Sequence, residues 1–379
     1  MGSSRLLSIV IPTRNRQEYC VAAVEQILTL NLNDVEVVIQ DNSDDESLRS
    51  RLEHYISSGR VIYHYRQGII SFVDNFSEAI SLSCGEYVCM IGDDDGILPN
   101  IVKITQSAKE RDIDCVIAGL NAVYIWPSPT PIRQKYKNGY LCVSYLKDKE
   151  EYVDCKKALE MLALQGGQEY QSLNLPRVYH GIAKRSKLDE VKAIAGNYFM
   201  GLTPDIFIAV ALGSVCEKVV RLSYPISISG ICPRSGSSDS ATGRHTGELK
   251  DAPHFRGHEN YKWDVKAPSI YSVESIWAET ALQAYKIFGN EKLYNEFNVQ
   301  YLDNLCLEKY PQFSEIIKVH AGSLGVKIIK PRGTIVIRKV KSLIERVLKR
   351  IVNLGNGVYK YYNIQNLQQA VVVVCKYLK

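Results

Sequence analysis

Residues 86–99 of the chain read EYVCMIGDDDGILP, an apolar run that ends abruptly in three consecutive aspartates. The apolar part, Glu86–Ile91, follows the turn at Cys84 and Gly85 and is typical of a short buried strand. A glycine and a proline then close the acidic triplet as a turn. The stretch therefore predicts a buried strand whose carboxyl end presents the carboxylates of residues 93–95.

Strand-like and helical patterns alternate on both sides of this stretch. Apolar residues recur at helical spacing between the strands, as at Phe72, Phe76 and Ile80. Strands separated by helices predict an α/β fold built on a mainly parallel sheet, with ligands beyond the carboxyl ends of its strands. The predicted strands are Leu6–Ile11, Val35–Ile39, Val61–Tyr65, Glu86–Ile91 and Cys115–Gly119, with a helix from about Pro99.

The later part of the chain is less regular. The proline-rich stretch Trp126–Gly139 predicts a long connection, whereas Cys155–Leu164, Pro204–Leu212 and Ser275–Phe288 predict helices. Ser229–Gly247 is rich in serine, glycine and threonine and predicts a mobile loop.

Length and composition exclude several classes of protein. The 379 residues suggest two units, and 46 % hydrophobic with 23 % charged residues is ordinary for a globular protein. The 10 cysteines form no C-x-x-C pair and indicate buried thiols in a reducing compartment. The first residues lack the pattern of a secretory signal, and no apolar run is long enough to cross a bilayer, so we expect a cytosolic chain.

The carboxylates of residues 93–95 repel one another unless a cation compensates them. Oxygen ligands of this kind suit Mg²⁺ or Mn²⁺, which commonly bridge carboxylates to the phosphates of a nucleotide. For an isolated triplet a solvated acidic turn is the commoner explanation. Because residues 93–95 lie at the end of a buried strand, where an α/β sheet binds its ligand, we favour a metal site over a solvated turn.

A second polar cluster, Asp41–Ser43, follows the second predicted strand. Its aspartate can accept a hydrogen bond from a base or a ribose hydroxyl, although an Asx turn would use the same residues. Neither a G-x-G-x-x-G nor a G-x-x-x-x-G-K-[ST] motif occurs, which argues against dinucleotide oxidoreductases and P-loop enzymes.

Taken together, four ordered stretches resemble the family 2 glycosyltransferases of GT-A fold. They are Ser8–Arg16, Val37–Ser43, Asp74–Val88 and Ile91–Pro99, and they cover roughly the first 120 residues. The resemblance implies a mixed, mainly parallel GT-A sheet flanked by helices and followed by a mostly helical carboxy-terminal region. It also implies a nucleotide sugar as donor substrate and Mn²⁺ or Mg²⁺ as cofactor.

The resemblance also implies roles for individual residues. Asp41 corresponds to the position that recognises the nucleotide base. Gly92 stands where many members have the first aspartate, so Asp93 would contact the ribose and Asp94 would hold the metal, with Asp95 as a second metal ligand. Further donor contacts are expected from Pro12, Thr13, Arg14, Asn15, Asn42, Ser43 and Asn75.

An inverting enzyme of this kind needs a general base for the acceptor hydroxyl. Our candidate is Asp205, which Thr203 as N-cap and Pro204 as first helical residue place in the first turn of a helix. An acidic residue is favoured there for dipole reasons alone, so the assignment depends on the family resemblance. Weaker rivals are Asp154, Glu160, Glu169 and Asp189.

Two segments carry clusters of basic residues. Arg244 and His245 lie in the predicted loop at 229–247, which could close over the donor as a lid or remain an inert surface loop. Residues 326–351 predict a basic amphipathic helix, with nine cations and one glutamate between Val326 and Arg350. That helix would lie on an anionic membrane or cover the body of the protein.

These observations lead to one functional hypothesis with two alternatives. We expect an inverting transferase that moves a sugar from a UDP-sugar to a bacterial surface-glycan precursor on a polyprenyl diphosphate, at the inner face of the cytoplasmic membrane. The alternatives are a nucleotidyltransferase, whose glycine-rich basic loop is missing after the first strand, and a non-catalytic membrane- or nucleic-acid-binding protein. No nucleic-acid partner is expected.

The same hypothesis divides the chain. We expect a catalytic domain at 1–250, with a nucleotide-binding half at 1–125 and an acceptor half at 126–250. A helical carboxy-terminal region is expected at 251–379.

Overall fold

The computed structural model describes residues 5–144, 148–233, 246–247, 249, 253–255, 261–328 and 357–378. Its strands largely follow the predicted positions, and the first two run two residues further than predicted. In chain order the strands are β1 (Leu7–Thr13), β2 (Val35–Asp41), β3 (Val61–Tyr65), β4 (Tyr87–Met90), β5 (Gly96–Ile97), β6 (Cys115–Ile117), β7 (Ala122–Ile125), β8 (Tyr140–Val143), β9 (Glu150–Tyr152), β10 (Gly181–Lys184), β11 (Val219–Leu222), β12 (Ser227–Ile231), β13 (Thr246–Gly247), β14 (Tyr271–Ser272) and β15 (Tyr359–Tyr362).

Helices lie between the strands of the first part and dominate the region after β14. Several begin at a side-chain cap, such as Ser71, which accepts from the Asp74 amide. The α-helices are α1 (Gln17–Thr29), α2 (Ser47–Ser57), α3 (Phe72–Ser81), α4 (Ile101–Glu110), α5 (Cys155–Leu164), α6 (Arg185–Ala195), α7 (Pro204–Val215), α8 (Val273–Ile287), α9 (Glu291–Asn295), α10 (Val299–Lys309), α11 (Ser314–Ser323) and α12 (Leu367–Cys375).

Within the described residues, eight strands form a large sheet in the order β3-β2-β1-β4-β10-β6-β11-β9. Strands β1, β2, β3 and β4 run parallel, whereas β10 is antiparallel to both of its neighbours. The mixed, mainly parallel GT-A sheet expected from the sequence is therefore confirmed. Its parallel half brings the carboxyl ends of β1, β2 and β4 to one edge.

Apolar clusters cover both faces of this sheet, which explains why the central strands read as continuous apolar runs. Along β1, Val10 belongs to one cluster, whereas Ile9 and Ile11 belong to the other. Every residue of β1 is buried. The opposite orientation of successive side chains thus anchors β1 between two layers of helices.

A second, smaller sheet has the order β15-β8-β7-β12-β5. The connection predicted at 126–139 joins β7 to β8 in this sheet, as expected. One expectation is corrected, because residues 229–231 of the predicted loop belong to the strand Ser227–Ile231. Of that loop, residues 234–245 lie outside the described residues. Strand β12 pairs with β5 on one side and with β7 on the other, which explains why this stretch is extended.

The region after β14 is helical, as expected, but it shares a core with the preceding residues. Helix α8 packs on α7, and the Tyr285 hydroxyl donates to the Leu159 carbonyl in α5 at 3.2 Å. One apolar cluster contains residues from both sides of position 250. The domain boundary at 250 stays a prediction, and the packing gives no reason to separate the two sides.

The last described residues return to the amino-terminal part of the chain. Strand β15 pairs with β8, and Leu367 of α12 packs in one cluster with Leu98 and Ile228. Residues 357–378 therefore belong to the second sheet and not to the helical region. The amphipathic helix predicted at 326–351 lies outside the described residues after residue 328.

The described part of the chain contains no helix that is both long and apolar enough to span a bilayer.

Candidate functional site

The candidate site lies where β1, β2 and β4 end. Thr13 and Asp41 are paired across the ends of β1 and β2. The Thr13 hydroxyl donates to Asp93 Oδ2 at 2.5 Å, which ties the end of β1 to the triplet after β4. The structure thus brings together residues that are far apart in sequence, as the parallel sheet predicted.

Arg16 neutralises the first aspartate of the triplet. Its Nε donates to Asp93 Oδ2 at 3.0 Å, and its Nη2 lies 2.7 Å from Asp93 Oδ1. Burial raises the pKa of Asp93, and the guanidinium opposes that rise. A protein cation therefore supplies part of the compensation that the sequence argument assigned to a metal alone.

Asp94 keeps one weakly engaged oxygen. Its Oδ2 accepts from the Cys232 amide at 3.0 Å, and its carbonyl accepts from Trp126 Nε1 at 2.8 Å. Its Oδ1 lies 3.5 Å from the nearest guanidinium nitrogen of Arg16, which is too long for a strong hydrogen bond. Burial and the neighbouring charge of Asp95 raise the pKa of Asp94, while Arg16 and the Cys232 amide lower it.

Asp95, by contrast, is fully engaged inside the protein. Its Oδ2 accepts from the Gly92 amide at 2.6 Å and from the Tyr179 hydroxyl at 2.9 Å, and lies 3.2 Å from His180 Nε2. Its Oδ1 accepts from the Gly230 amide at 2.6 Å. Burial favours the neutral acid, but His180 and the amide donors outweigh it and hold the pKa of Asp95 below its usual value.

These contacts decide which carboxylates fit a divalent cation. Among the described residues, no group of three or more histidine, cysteine or acidic side chains forms a metal cage. Mg²⁺ and Mn²⁺ are often held by one or two carboxylates together with substrate phosphates, and Asp94 Oδ1 fits that requirement. Asp95, expected as a second ligand, does not fit because both of its oxygens already serve protein donors.

The expected base-recognition residue Asp41 sits at the end of β2 but is completely buried. Its Oδ1 accepts from the Ser43 amide and its Oδ2 from the Tyr63 hydroxyl, both at 2.8 Å. Burial raises the pKa of Asp41, and these two donors oppose the rise. The carboxylate therefore supports the loop that follows β2 and has no exposed surface for a base.

The loops after β1 and β2 are tied together. Arg14 donates to the Asn42 carbonyl at 2.6 Å, and the Asn15 amide donates to Ser43 Oγ at 2.8 Å. Arg14 and Asn15 keep partial exposure, whereas Pro12, Thr13, Asn42 and Ser43 are buried. In these two loops, therefore, Arg14 and Asn15 are the side chains that a nucleotide sugar could contact directly.

Asn75 contributes an unpartnered acceptor to the same edge. Its Nδ2 donates to the Thr13 carbonyl at 3.4 Å, while its Oδ1 is buried without a hydrogen-bond partner. Buried polar atoms are almost always paired in folded proteins. A ligand N–H or O–H at this place would satisfy the atom, which agrees with the donor contact expected of Asn75.

The candidate base Asp205 lies in the first turn of α7, after Thr203 and Pro204, as predicted. Burial raises its pKa, and His180, a hydrogen bond with the Tyr170 hydroxyl and the Arg177 guanidinium oppose the rise. A carboxylate with a raised pKa is better suited to accept a proton near neutral pH. The environment of Asp205 is thus compatible with general-base chemistry.

Tyr179 and His180 connect Asp205 to the triplet. The charges of Asp95, Asp94 and Asp205 all act on the Tyr179 hydroxyl, whose pKa burial raises strongly. His180 contacts Asp95 and lies close enough to Asp205 to influence its pKa. The triplet and Asp205 therefore flank a single two-residue segment that precedes β10.

The sequence analysis missed four residues of this site: Arg16, Arg177, Tyr179 and His180. Arg16 lies in a stretch that was quoted, but its partner is 77 positions away. His180 adopts a positive φ of 53°, which is uncommon outside glycine and which no local pattern indicates. The antiparallel insertion of β10 brings this segment to the triplet, and only the fold shows it.

The rivals of Asp205 have other roles or positions. Asp154 accepts from the Lys157 amide as the cap of α5, and Asp189 accepts from the Tyr198 hydroxyl. Glu160 and Glu169 are exposed side chains. Arg244 and His245 of the predicted lid lie outside the described residues.

Comparison with known proteins finds a family model, described as glycosyl transferase family 2, that matches residues 8–159. Three curated relatives match shorter parts of the chain. Glycosyltransferase GlyG of Streptococcus pneumoniae is 27 % identical over 118 residues, 30 % of this chain and 38 % of that protein. The putative colanic acid biosynthesis glycosyl transferase WcaA of Escherichia coli is 27 % identical over 146 residues, 36 % of this chain and 51 % of that protein.

The third relative is the GalNAc(5)-diNAcBac-PP-undecaprenol beta-1,3-glucosyltransferase of Campylobacter jejuni, 26 % identical over 110 residues, 27 % of this chain and 35 % of that protein. The matched region spans about a third to a half of the length of these relatives. Its residues include β1, β2, β4 and the aspartate triplet.

Proposed function

Because residues 8–159 are a glycosyl transferase family 2 domain, we propose that this chain transfers a sugar from a nucleoside diphosphate sugar to a hydroxyl group of a glycan. One observation carries the proposal beyond the matched region. Tyr179 and His180 contact Asp95, and both lie close enough to Asp205 for their charges to influence one another. This supports the proposal that a metal-binding carboxylate and a base for the acceptor belong to one site.

The proposed reaction is a direct displacement that inverts the anomeric centre. Asp205 accepts the proton of the acceptor hydroxyl while the hydroxyl oxygen attacks the anomeric carbon of the donor sugar. The bond between that carbon and the diphosphate oxygen breaks, and the nucleoside diphosphate leaves. Asp94 and the diphosphate would hold a divalent cation, which neutralises charge on the leaving group. Asp93, expected to contact the ribose, is completely buried and held by Arg16 and Thr13, so it would act on the donor through these two residues.

For the donor we propose a UDP-sugar, bound with Mn²⁺ or Mg²⁺. Asn75 Oδ1, the buried unpartnered acceptor, would receive a hydrogen bond from the nucleotide, and Arg14 and Asn15 would border it. Asp41 would act on the base through the loop it supports, since the carboxylate itself is buried. Arg244 and His245 remain proposed as lid residues over the diphosphate.

For the acceptor we propose a bacterial surface-glycan precursor on a polyprenyl diphosphate. The name of one relative refers to colanic acid biosynthesis, and that of another refers to an undecaprenol-linked glycan. An acceptor of this kind would place the enzyme at the inner face of the cytoplasmic membrane. The basic segment 326–351 would then contact anionic lipids.

The test uses the purified full chain and measures released UDP from a panel of UDP-sugars, with and without Mn²⁺. We expect metal-dependent release with one donor sugar. We expect Asp205→Asn to bind UDP normally and to lose about 10²–10⁴-fold in turnover, the usual cost of losing a general base. Asp154→Asn is the matched control, because asparagine also caps a helix and removes a carboxylate outside the site.

Two results would contradict the proposal. Near wild-type turnover in Asp205→Asn would assign the base to another residue. Formation of a sugar nucleotide from a sugar phosphate and a nucleoside triphosphate would instead indicate a nucleotidyltransferase.

A further inference from the structure

The outermost strand of the second sheet has an unusual surface. Strand β15 reads Tyr-Lys-Tyr-Tyr, and Tyr359 and Tyr362 are 40 % and 44 % exposed. Within the described residues, β15 pairs with β8 alone, so its other edge is unpaired. We call the strand and the aromatic side chains that it contacts the tyrosine edge.

Aromatic rings continue from β15 across both of its faces. On one face, Tyr362 packs on Tyr140 with ring centres 5.2 Å apart, and Tyr140 packs on Tyr136 at 4.3 Å. On the other face, Tyr359 packs on Tyr377 at 4.5 Å. Aromatic rings therefore accompany β15 on both of its faces, with Tyr359 and Tyr362 as the most exposed ones.

The segments that carry these rings contain cations and no carboxylates, although Asp148 and Glu150 of the neighbouring large sheet line a cavity together with Tyr377. Residues 119–144 and 357–378, which build the β7–β8 hairpin, β15 and α12, contain five lysine or arginine residues and no aspartate or glutamate. Lys135 lies 5.3 Å from the ring centre of Tyr136, and Lys360 is exposed on the same face of β15 as Tyr362. The residues at 326–350, shortly before β15, add nine cations and one glutamate by sequence.

This composition matches a bilayer interface. Tyrosine has an apolar ring and a polar tip, so it is stable at the level of lipid headgroups, and lysine extends its charged end towards the headgroups. Anionic lipids attract such cations, whereas an isolated tyrosine patch without charge would not select them. We propose that the tyrosine edge is a second membrane-contacting surface that lies on an anionic bilayer, independent of the segment at 326–351.

The position of the patch has a consequence for the site. Strand β8 pairs with β7, β7 pairs with β12, and Trp126 directly after β7 donates to the Asp94 carbonyl. The sheet that carries the tyrosine edge therefore also carries part of the acidic site. Contact with a bilayer would hold the site near an acceptor anchored in lipid, a consequence that rests on the proposed function.

The unpaired edge of β15 offers a competing occupant, a second copy of this chain paired edge to edge. Such pairing would use backbone groups and would not require anionic lipid. Light scattering of the full chain therefore accompanies the lipid experiment. A stable dimer, together with lipid binding that Tyr359→Ser/Tyr362→Ser leaves unchanged, would overturn the proposal.

The main experiment is co-sedimentation of the full chain with vesicles of phosphatidylcholine alone or mixed with phosphatidylglycerol. The test variant is Tyr359→Ser/Tyr362→Ser, and the control is Val319→Ser, because Val319 is an apolar side chain 72 % exposed on α11 in the helical region. We expect the double variant to bind the mixed vesicles several-fold more weakly than the wild type and the control. Lys360→Gln should weaken binding to mixed vesicles by roughly fivefold and leave neutral vesicles unchanged.

Equal pelleting of the double variant and the wild type would overturn the proposal, because the segment at 326–351 would then account for all binding. Pelleting that does not depend on phosphatidylglycerol, or no pelleting of the wild type, would overturn it as well. UDP binding measured on the same preparations checks that the variants are folded. The same measurement separates the two proposals. A wild-type protein that binds the mixed vesicles but not UDP would contradict the proposed function and not the membrane contact.

Discussion

Adjacent aspartates of the triplet differ because their oxygens meet different donors. Asp95 accepts from two backbone amides and from Tyr179, whereas Asp94 leaves its Oδ1 without a close donor. A carboxylate that satisfies buried donors is structural, since removing it leaves those donors unpaired. A carboxylate with a weakly engaged oxygen is available to a ligand.

This difference predicts opposite phenotypes for two isosteric substitutions. Asp94→Asn should keep the fold and lose Mn²⁺-dependent UDP binding, because an amide is a poor metal ligand. Asp95→Asn should lower the free energy of unfolding by about 1–3 kcal/mol, because the new NH₂ group faces donors and not acceptors. Calorimetric titration with UDP and urea denaturation separate the two effects, and undiminished Mn²⁺-dependent binding in Asp94→Asn would refute the metal assignment.

The environment of Asp205 predicts how activity depends on pH. A general base must be ionised, so activity falls as pH drops through its pKa. Burial raises that pKa above the ordinary value for aspartate, and Arg177 restrains the rise. The acidic limb of the profile of kcat against pH should therefore lie above the usual range for an aspartate.

Arg177 provides the variant that tests this reasoning. Arg177→Met removes the positive charge and should move the acidic limb to higher pH, while Arg177→Lys keeps the charge and should move it less. The pH profiles of the two variants are compared at saturating donor. A limb that stays in place in Arg177→Met would show that the titrating group is not Asp205.

At the scale of elements, β12 holds the triplet in place. Its Gly230 amide donates to Asp95, and the Cys232 amide, just beyond the strand, donates to Asp94. The backbone of β12 passes so close to the triplet that a Cβ at position 230 would lie 1.8 Å from the Asp94 carbonyl oxygen. Only glycine permits this approach.

Gly230→Ala is therefore expected to displace the triplet from β12. It should lower the melting temperature and weaken UDP binding together, because the same contact supports the fold and the site. Gly322→Ala is the control, since a Cβ there meets nothing within 4 Å. Differential scanning calorimetry with and without UDP makes the comparison, and a Gly230→Ala protein with wild-type melting would refute the close contact.

At the scale of the whole molecule, the end of the chain completes the core of the beginning. Leu367 of α12 is fully buried, and a Cβ at Gly96, directly after the triplet, would meet Leu367 at 3.2 Å. Truncation before residue 326 would remove this helix along with the basic segment. A loss of activity after such a truncation could therefore follow from the lost packing of α12 as well as from lost membrane contact.

A pair of substitutions in α12 measures this contribution. Leu367→Ala should reduce the free energy of unfolding by about 2–5 kcal/mol, the usual cost of a buried leucine. Val372→Ala, on the exposed side of the same helix at 61 % exposure, should change it little. Urea denaturation of the full chain gives both values, and equal stability of the two variants would contradict the packing of α12.

Periodic patterns in the sequence were sufficient to predict the parallel half of the large sheet. The strand at Val61–Tyr65 and the helix at Cys155–Leu164 have their predicted bounds, because local apolar spacing determines which face each residue buries. The ends of β1, β2 and β4 were predicted to meet, since parallel strands place their carboxyl ends at one edge. The position of Asp205 in the first turn of α7 also followed from Thr203 and Pro204.

These periodic patterns do not predict contacts between segments that are distant in the sequence. Residues 229–231, the end of the strand Ser227–Ile231, were predicted as part of a loop, because this short run with few apolar residues becomes a strand only by pairing with β5 and β7. Which carboxylate of the triplet is free depends on Arg16, on the segment Tyr179–His180 and on Gly230, and these groups come from three different places in the chain.

The amino-acid sequence by itself determined the order of elements, the edge of the sheet that carries the site and the residues that resemble a family 2 glycosyltransferase. These features depend on neighbours a few positions away, which the chain specifies directly. The tertiary structure alone decided the partners of each carboxylate, the burial of Asp41 and the return of α12 to the second sheet. They depend on burial and on hydrogen bonds between distant segments, and those exist only once the sheets have formed.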